Sequence, residues 1–227
     1  STDTASVFEH AARALDRSLA FGVHGLPLMG AGDWNDGMNR VGIEGKGESV
    51  WLAWFQVSML EPMAALAAQR GEAARAVHWR AARTSLLKAI ETHGWDGAWY
   101  RRAFFDDGSA LGSAANAECK IDLIAQAWAV LAGGGDASRA RQSLQSAAEH
   151  LIDDDAGLVR LLDPPLATQQ PSAGYIQAYP PGVRENGGQY THAAVWVVLA
   201  LTSHGSGDDA SELFHMLNTI NHSRTAS

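Results

Sequence analysis

Two short stretches of this 227-residue sequence concentrate side chains that can do chemistry. The first is Gly30-Ala31-Gly32-Asp33-Trp34-Asn35-Asp36-Gly37-Met38-Asn39. Two carboxylates, an amide and an indole stand together in a glycine-rich frame, and glycines let a backbone turn sharply or approach a ligand closely. A carboxyl seated beside an indole can hold its proton toward neutral pH, as a general acid must. The plain alternative is an Asx turn, because Asp and Asn are ordinary turn residues. An EF-hand loop does not fit, since Met38 stands where that loop needs glycine.

The second stretch is Tyr179-Pro180-Pro181-Gly182-Val183-Arg184-Glu185-Asn186-Gly187-Gly188-Gln189-Tyr190-Thr191-His192. Prolines and glycines shape the loop, and Arg, Glu, Asn, Gln, Tyr and His supply donors and acceptors. Thr191 and His192 fall in the first turn of a following helix, where free N–H groups and the helix dipole favour an anion. Arg184 and a donor from His192 would suit phosphate. The alternative is a helix entry with an Arg184/Glu185 surface pair. His24 could line a site, although a hydrogen-bonded structural role is the simpler reading. The remaining histidines show no ligand spacing, so no metal and no cofactor is expected. Cys119 reads as a packed thiol within a helix.

The elements that must carry these stretches are helical. Thr2 to Leu19 places Val7, Ala11, Leu15 and Leu19 at four-residue steps. Phe21 to Gly47 holds eight glycines and no surviving period, which predicts a long shaped loop. Helices are predicted over 48–69, apolar nearly all round with a kink or break at Pro62, and over 72–92. An aromatic hairpin is expected over 95–108, and further helices over 117–131, 136–151, 191–202 and 208–217. Asp153 to Gly188 is a second long irregular region. Helix hairpins in sequence suggest an α/α toroid, although periodicity alone does not separate it from other helical arrays.

Composition bounds the rest. At 46% hydrophobic and 19% charged the chain is globular, and its net charge of −8 argues against a general nucleic-acid or anionic-membrane surface. One cysteine excludes an intramolecular disulfide framework. The run from Ala193 to Leu201 is about half of what spans a bilayer. No secretory leader is read at the N-terminus, so a cytoplasmic location is expected, the parent polypeptide being attached to the inner membrane.

Gly25 to Arg40, with Gly45-Lys46-Gly47-Glu48-Ser49-Val50-Trp51-Leu52, resembles the catalytic region of the inverting glycoside phosphorylases of glycoside hydrolase family 94, which include cellobiose and chitobiose phosphorylases. With the 180–192 segment, the version here is most similar to the phosphorylase-like C-terminal region of cyclic β-1,2-glucan synthases. The resemblance covers nearly the whole chain. It implies an all-α fold, part of an (α/α)6 barrel with long Gly-rich loops and a small β-hairpin, over residues 1–227. It implies Asp36 as general acid, Trp34 at the sugar, His192 at phosphate, and Tyr179 and Arg184 lining the pocket. Asp33, Asn35, Glu185 and Gln189 are expected to join them as substrate contacts. The partners implied are a β-glucan oligosaccharide and inorganic phosphate, with β-1,4 linkage as runner-up to β-1,2, and the rest of a larger synthase or a second copy.

The family's N-terminal sugar-binding domain, its early barrel helices and a C-terminal phosphate-pocket segment have no counterpart here. The chain is therefore expected to be a fragment or shortened derivative, leaving apolar faces such as Trp51 and Trp54 uncovered. A non-catalytic carbohydrate-binding module and a purely structural helical unit are the alternatives to an enzyme.

Overall fold

The computed structural model describes residues 4–222; Thr2, where the first helix is expected to begin, lies outside them. Helix α1 (Val7–Ser18) starts where the Ser6 hydroxyl accepts the Glu9 N–H at 3.1 Å. Its core face is Phe8, Ala12, Leu15 and Leu19, whereas Val7 is 87% exposed. The expected row of four-residue steps turns off the buried face because each step advances about 40° beyond a full turn.

Strand β1 (Glu48–Ser49) leads into α2 (Val50–Gln69), which is capped by the Ser49 hydroxyl on Leu52 N–H at 3.0 Å. Pro62 does not split this helix in two. It lies on the exposed side, and α3 (Ala73–Ala89) packs along α2. Helix α3 ends in a π-helical turn, Ile90–Gly94. By length and composition α2 could cross a membrane, yet half of it is buried in the core. Trp54 is wholly buried and Trp51 nearly so, contrary to the expectation that both lie uncovered. They are covered by Tyr100, Trp128 and Trp196, which come from later in the chain.

The expected aromatic turn forms, with Trp95 and Tyr100 in an antiparallel bridge, and a hairpin of regular strands follows it. Strands β2 (Ala103–Phe104) and β3 (Ala110–Leu111) pair antiparallel, and β2 also pairs with β1, Ser49 opposite Ala103. Residues 117–122, read as helix, are not helical. Cys119 has φ +47°, its N–H reaches Pro164 O, and β4 (Ile121–Asp122) pairs with a strand from the second long loop. Those backbone bonds hold the segment out of helix, so α4 is only Leu123–Leu131, with Asp122 as its cap. Then come α5 (Ala137–Leu151), a β5/β6 hairpin (Ile152–Asp153, Leu158–Val159) and β7 (Leu162–Asp163), the partner of β4. Helices α6 (Thr191–His204), α7 (Gly207–Met216) and α8 (Thr219–His222) complete the described chain.

Helix α4 packs between α2 and α6, and these three are the apolar ones. The more polar α3, α5 and α7 each pack against the apolar helix before them. The domain is therefore largely helical, as expected, with its short strands gathered at the N-terminal ends of α2 and α4. Under that end lies a separate cluster of Met38, Val41, Phe105, Leu111, Leu166 and Ile176, which supports the two long loops.

Candidate active site

The first loop is folded by contacts that its own residues supply. Gly42 and Gly47 bring two strands of the loop so close that a Cβ on Gly47 would overlap the Val41 carbonyl oxygen. Asn35 caps a 3₁₀ turn at Asp36–Met38 through its Oδ1, which accepts the Gly37 N–H at 3.0 Å. Asp36 projects from that turn as an exposed residue. Trp34 is half-buried.

The second loop is clasped by Asn186, wholly buried. Its amide accepts from Leu166 N–H at 2.7 Å and donates to the carbonyls of Leu166 and Tyr179 at 2.7 and 2.8 Å. Glu118, expected in a helix, instead gathers the backbone N–H groups of Ala167, Thr168 and Gln169. The two loops meet directly. Asn39 Oδ1 accepts the Tyr175 N–H at 3.2 Å, and the Arg40 N–H reaches Ala173 O at 3.1 Å. Gly174 sits at this crossing with φ +129°, and a Cβ there would run into Asn39.

The indole N–H of Trp34 donates to Nδ1 of His192 across 3.2 Å, joining residues 158 positions apart. An indole nitrogen can only donate. Nδ1 must therefore accept, and a neutral His192 carries its proton on Nε2. Trp196, one turn along α6, lies 4.4 Å from the His192 ring and 5.4 Å from Trp34, and Tyr190 meets Trp34 edge-on at 5.3 Å. These rings confine the imidazole, so an exposed Nε2–H is presented beside the start of α6. No side chain caps that start. Its free N–H groups and dipole add to a field that suits an anion.

Asp36 shares its neighbourhood with Tyr175, whose hydroxyl is held above the ordinary range by desolvation first and by the Asp36 charge second. Tyr175 meets Tyr179 edge-on at 6.1 Å, and the Arg184 guanidinium lies 4.8 Å over the Tyr179 ring. Arg184 has φ +52°, an unusual conformation for a long side chain and one often kept for function. Arg184 and Glu185 do form an ion pair, with Oε2 3.3 Å from Arg184 Nε and no hydrogen bond between them, but only its Arg184 half is exposed; the Glu185 side chain is 11% exposed. Asn35 Nδ2 is likewise buried without an acceptor.

Two expected substrate contacts have other occupations. Asp33 has a wholly buried side chain, and both its oxygens accept from Arg102, at 2.7 and 2.6 Å. It also takes the Ser49 hydroxyl at 2.6 Å and the Asn35 N–H at 3.0 Å. Burial alone would push this carboxyl up; Arg102, Ser49 and Asn35 outweigh it and hold it below the usual carboxylate range. Gln189 spends its Oε1 on the Val159 N–H at 3.0 Å, which fixes the β5/β6 hairpin against the second loop. His24 is structural in the way anticipated: its Nδ1 contacts the buried Glu48 carboxylate at 2.5 Å, and its ring stacks on Phe104. Arg102, Tyr175 and Trp196 escaped the sequence reading. Only Trp196 carried a signal, lying four residues after His192.

The Trp34 indole thus joins the loop that carries Asp36 to the loop that carries His192. The family model described as the catalytic domain of the Glycosyl hydrolase 94 superfamily matches residues 1–227, and the chain belongs to that family. It is 48% identical over 221 residues to the cyclic β-(1,2)-glucan synthase NdvB of Rhizobium meliloti, covering 97% of this chain and 8% of that protein. It is 36% identical to the 3-O-β-D-glucopyranosyl-β-D-glucuronide phosphorylase of Paenibacillus borealis, over 92% of this chain and 27% of the relative. With the N,N'-diacetylchitobiose phosphorylase of Vibrio furnissii the identity is 32%, over 96% and 27%. The chain thus spans about a quarter or less of the length of these relatives.

Proposed function

We propose that this chain is the acid-bearing and phosphate-bearing part of an inverting glycoside phosphorylase domain acting on β-1,2-glucan, within a larger glucan synthase of the cytoplasm or inner membrane. On this reading α2, α4 and α6 form an arc of inner helices in an (α/α)6 barrel, backed by α3, α5 and α7. The linkage is taken from the cyclic glucan synthase relative; the chemistry rests on the residues.

Inverting hydrolysis needs one carboxylic acid to protonate the leaving oxygen and one carboxylate to activate water. Phosphate is already an anionic nucleophile, so one acid suffices, and Asp36, unlike the buried Asp33, is exposed beside Trp34. Asp36 donates its proton to the glycosidic oxygen as the C1–O bond breaks. A phosphate oxygen forms the new bond to C1 from the opposite face. The products are α-glucose 1-phosphate and a glucan one residue shorter, and Asp36 is left ionised until it regains a proton. In the reverse direction it takes the proton from the acceptor hydroxyl. His192 holds phosphate by its Nε2–H, with the N–H groups at the start of α6. Glu185 Oε2 and Asn35 Nδ2, an acceptor and a donor buried without a hydrogen bond, are groups that sugar hydroxyls would satisfy.

The observation that carries the reading is the Trp34–His192 hydrogen bond, which brings the acid-bearing loop and the anion-binding helix start to one place. The test is to incubate the chain with β-1,2-oligoglucan and phosphate and to assay glucose 1-phosphate. Release of product supports phosphorolysis. Glucan binding without product supports a carbohydrate-binding module, and neither result leaves a helical scaffold.

A further inference from the structure

We propose that Arg102 is a positioning residue of this site: its guanidinium, buried beneath the first loop, sets where Trp34 and Asp36 stand relative to His192. Arg102 is wholly buried and touches none of the exposed chemistry. Both terminal nitrogens grip Asp33, one on each oxygen, and Asp33 in turn accepts the Asn35 N–H. The residues gripped are therefore the immediate neighbours of Trp34 and Asp36. The backbone of Arg102 is itself clamped, its N–H on Leu111 O at 2.8 Å and its carbonyl on Val50 N–H at 3.1 Å. The same guanidinium reaches the caps of two central helices. Ser49, which caps α2, bonds Asp33; Asp122, which caps α4, has Oδ2 at 3.4 Å from Arg102 Nε.

A buried ion pair is a poor device for stability alone, because apolar residues of the same volume often do as well. What it supplies is geometry, since a planar fork on a carboxylate fixes both distance and plane. Here the fork is shared unequally. Asp33 receives both parallel bonds. Asp122 receives only a charge contact, with its Oδ2 and Arg102 Nε both left without a hydrogen bond. Asp33, Asp122 and the buried Cys119 thiol are the titratable groups that face Arg102. The loop is thus seated from one side by a bidentate pair that fixes distance and plane, against the capped ends of two helices.

The effect on turnover rests on the phosphorylase reading; the seating itself does not, and the experiment separates them. Arg102→Lys keeps the charge and loses the fork, and Asp33→Asn keeps the volume and loses one charge. Both are made in the 227-residue chain, and the readouts are the thermal transition, the Trp34 indole N–H resonance and the ¹⁵N shifts of the His192 ring. The expected result for at least one variant is a retained cooperative transition with the Trp34 resonance moved and the His192 ring no longer held as the Nε2–H form. Where the wild type makes glucose 1-phosphate, kcat falls about 100-fold, the usual consequence of misplacing a reacting group by about 1 Å, with KM for the glucan little changed. A folded variant with both resonances where the wild type has them overturns the proposal. So does loss of the cooperative transition in both variants, which would make the pair a structural staple only. If the wild type makes no product, the phosphorylase reading fails, while the resonances still decide the role of Arg102.

Discussion

The two loops of the site are held in opposite ways. The 28–47 loop is seated by charge, through the fully buried Asp33–Arg102 pair with Asp122 behind it. The 163–190 loop is seated by a neutral amide, the Asn186 clasp, and by backbone N–H groups gathered on Glu118 at its rim. The loop that must place a proton donor has the stiffer, bidentate anchor. The loop that carries Tyr179, Arg184 and Glu185 has a central clasp, Asn186, whose strength does not change with pH. The difference teaches that anchoring and chemistry are separate tasks even within one motif: Asp33 and Asp36, three residues apart, face a buried guanidinium and the solvent respectively.

The largest effect is expected where the first loop does its chemistry. Asp36→Asn should cut glucose 1-phosphate release by about two orders of magnitude or more, the usual worth of an acid/base group, with the thermal midpoint unchanged. Unchanged turnover would take Asp36 out of the role. Breaking the neutral clasp comes next. Asn186→Ala leaves the Leu166 N–H and two carbonyls buried and unpaired, so stability should fall by roughly 2–4 kcal/mol in urea unfolding, by the same amount at pH 5 and pH 8.

The charged anchor should answer to pH instead. Burial pushes Asp122 up to about 6 against the opposing pull of Arg102, which is spent mainly on Asp33. The folded state then binds this proton more tightly than the unfolded chain. The contribution is full below pH ~4 and is lost as pH rises through about 6, on the order of 3 kcal/mol in all. Asp122→Asn keeps the cap oxygen on Ile124 N–H, so it should be more stable than the wild type at pH 7 and gain little at pH 4. Parallel stability curves for the two proteins would show that Asp122 does not titrate there. The smallest effect belongs to Gln189→Ala, about 1 kcal/mol of stability from the lost Val159 contact, with turnover within a few-fold. A collapse of turnover at unchanged stability would return Gln189 to the substrate.

Much of the frame was legible because it depends on local periodicity and capping. Helices α2, α3, α5, α6 and α7 lie close to where the apolar spacing puts them, and Asp136 caps α5 as its type suggests. The misreadings share one cause, long-range partners. Residues 117–122 look helical by composition, but their backbone bonds go to residues 162–164. Pro62 reads as a break, but it faces outward on a helix that runs on through it and packs against α3. Asp33 looks like a ligand-binding carboxylate until Arg102, 69 residues away, is seen to hold both its oxygens.

By itself the sequence determined the helical frame, the two loops and the residue types available for chemistry, because turn residues, caps and apolar spacing act over a few neighbours. The tertiary structure alone decided which carboxylate of the first loop is buried and which is free, and that an indole fixes the proton on His192. Those outcomes depend on desolvation and on bonds to residues far off in the chain, and neither is written in local order.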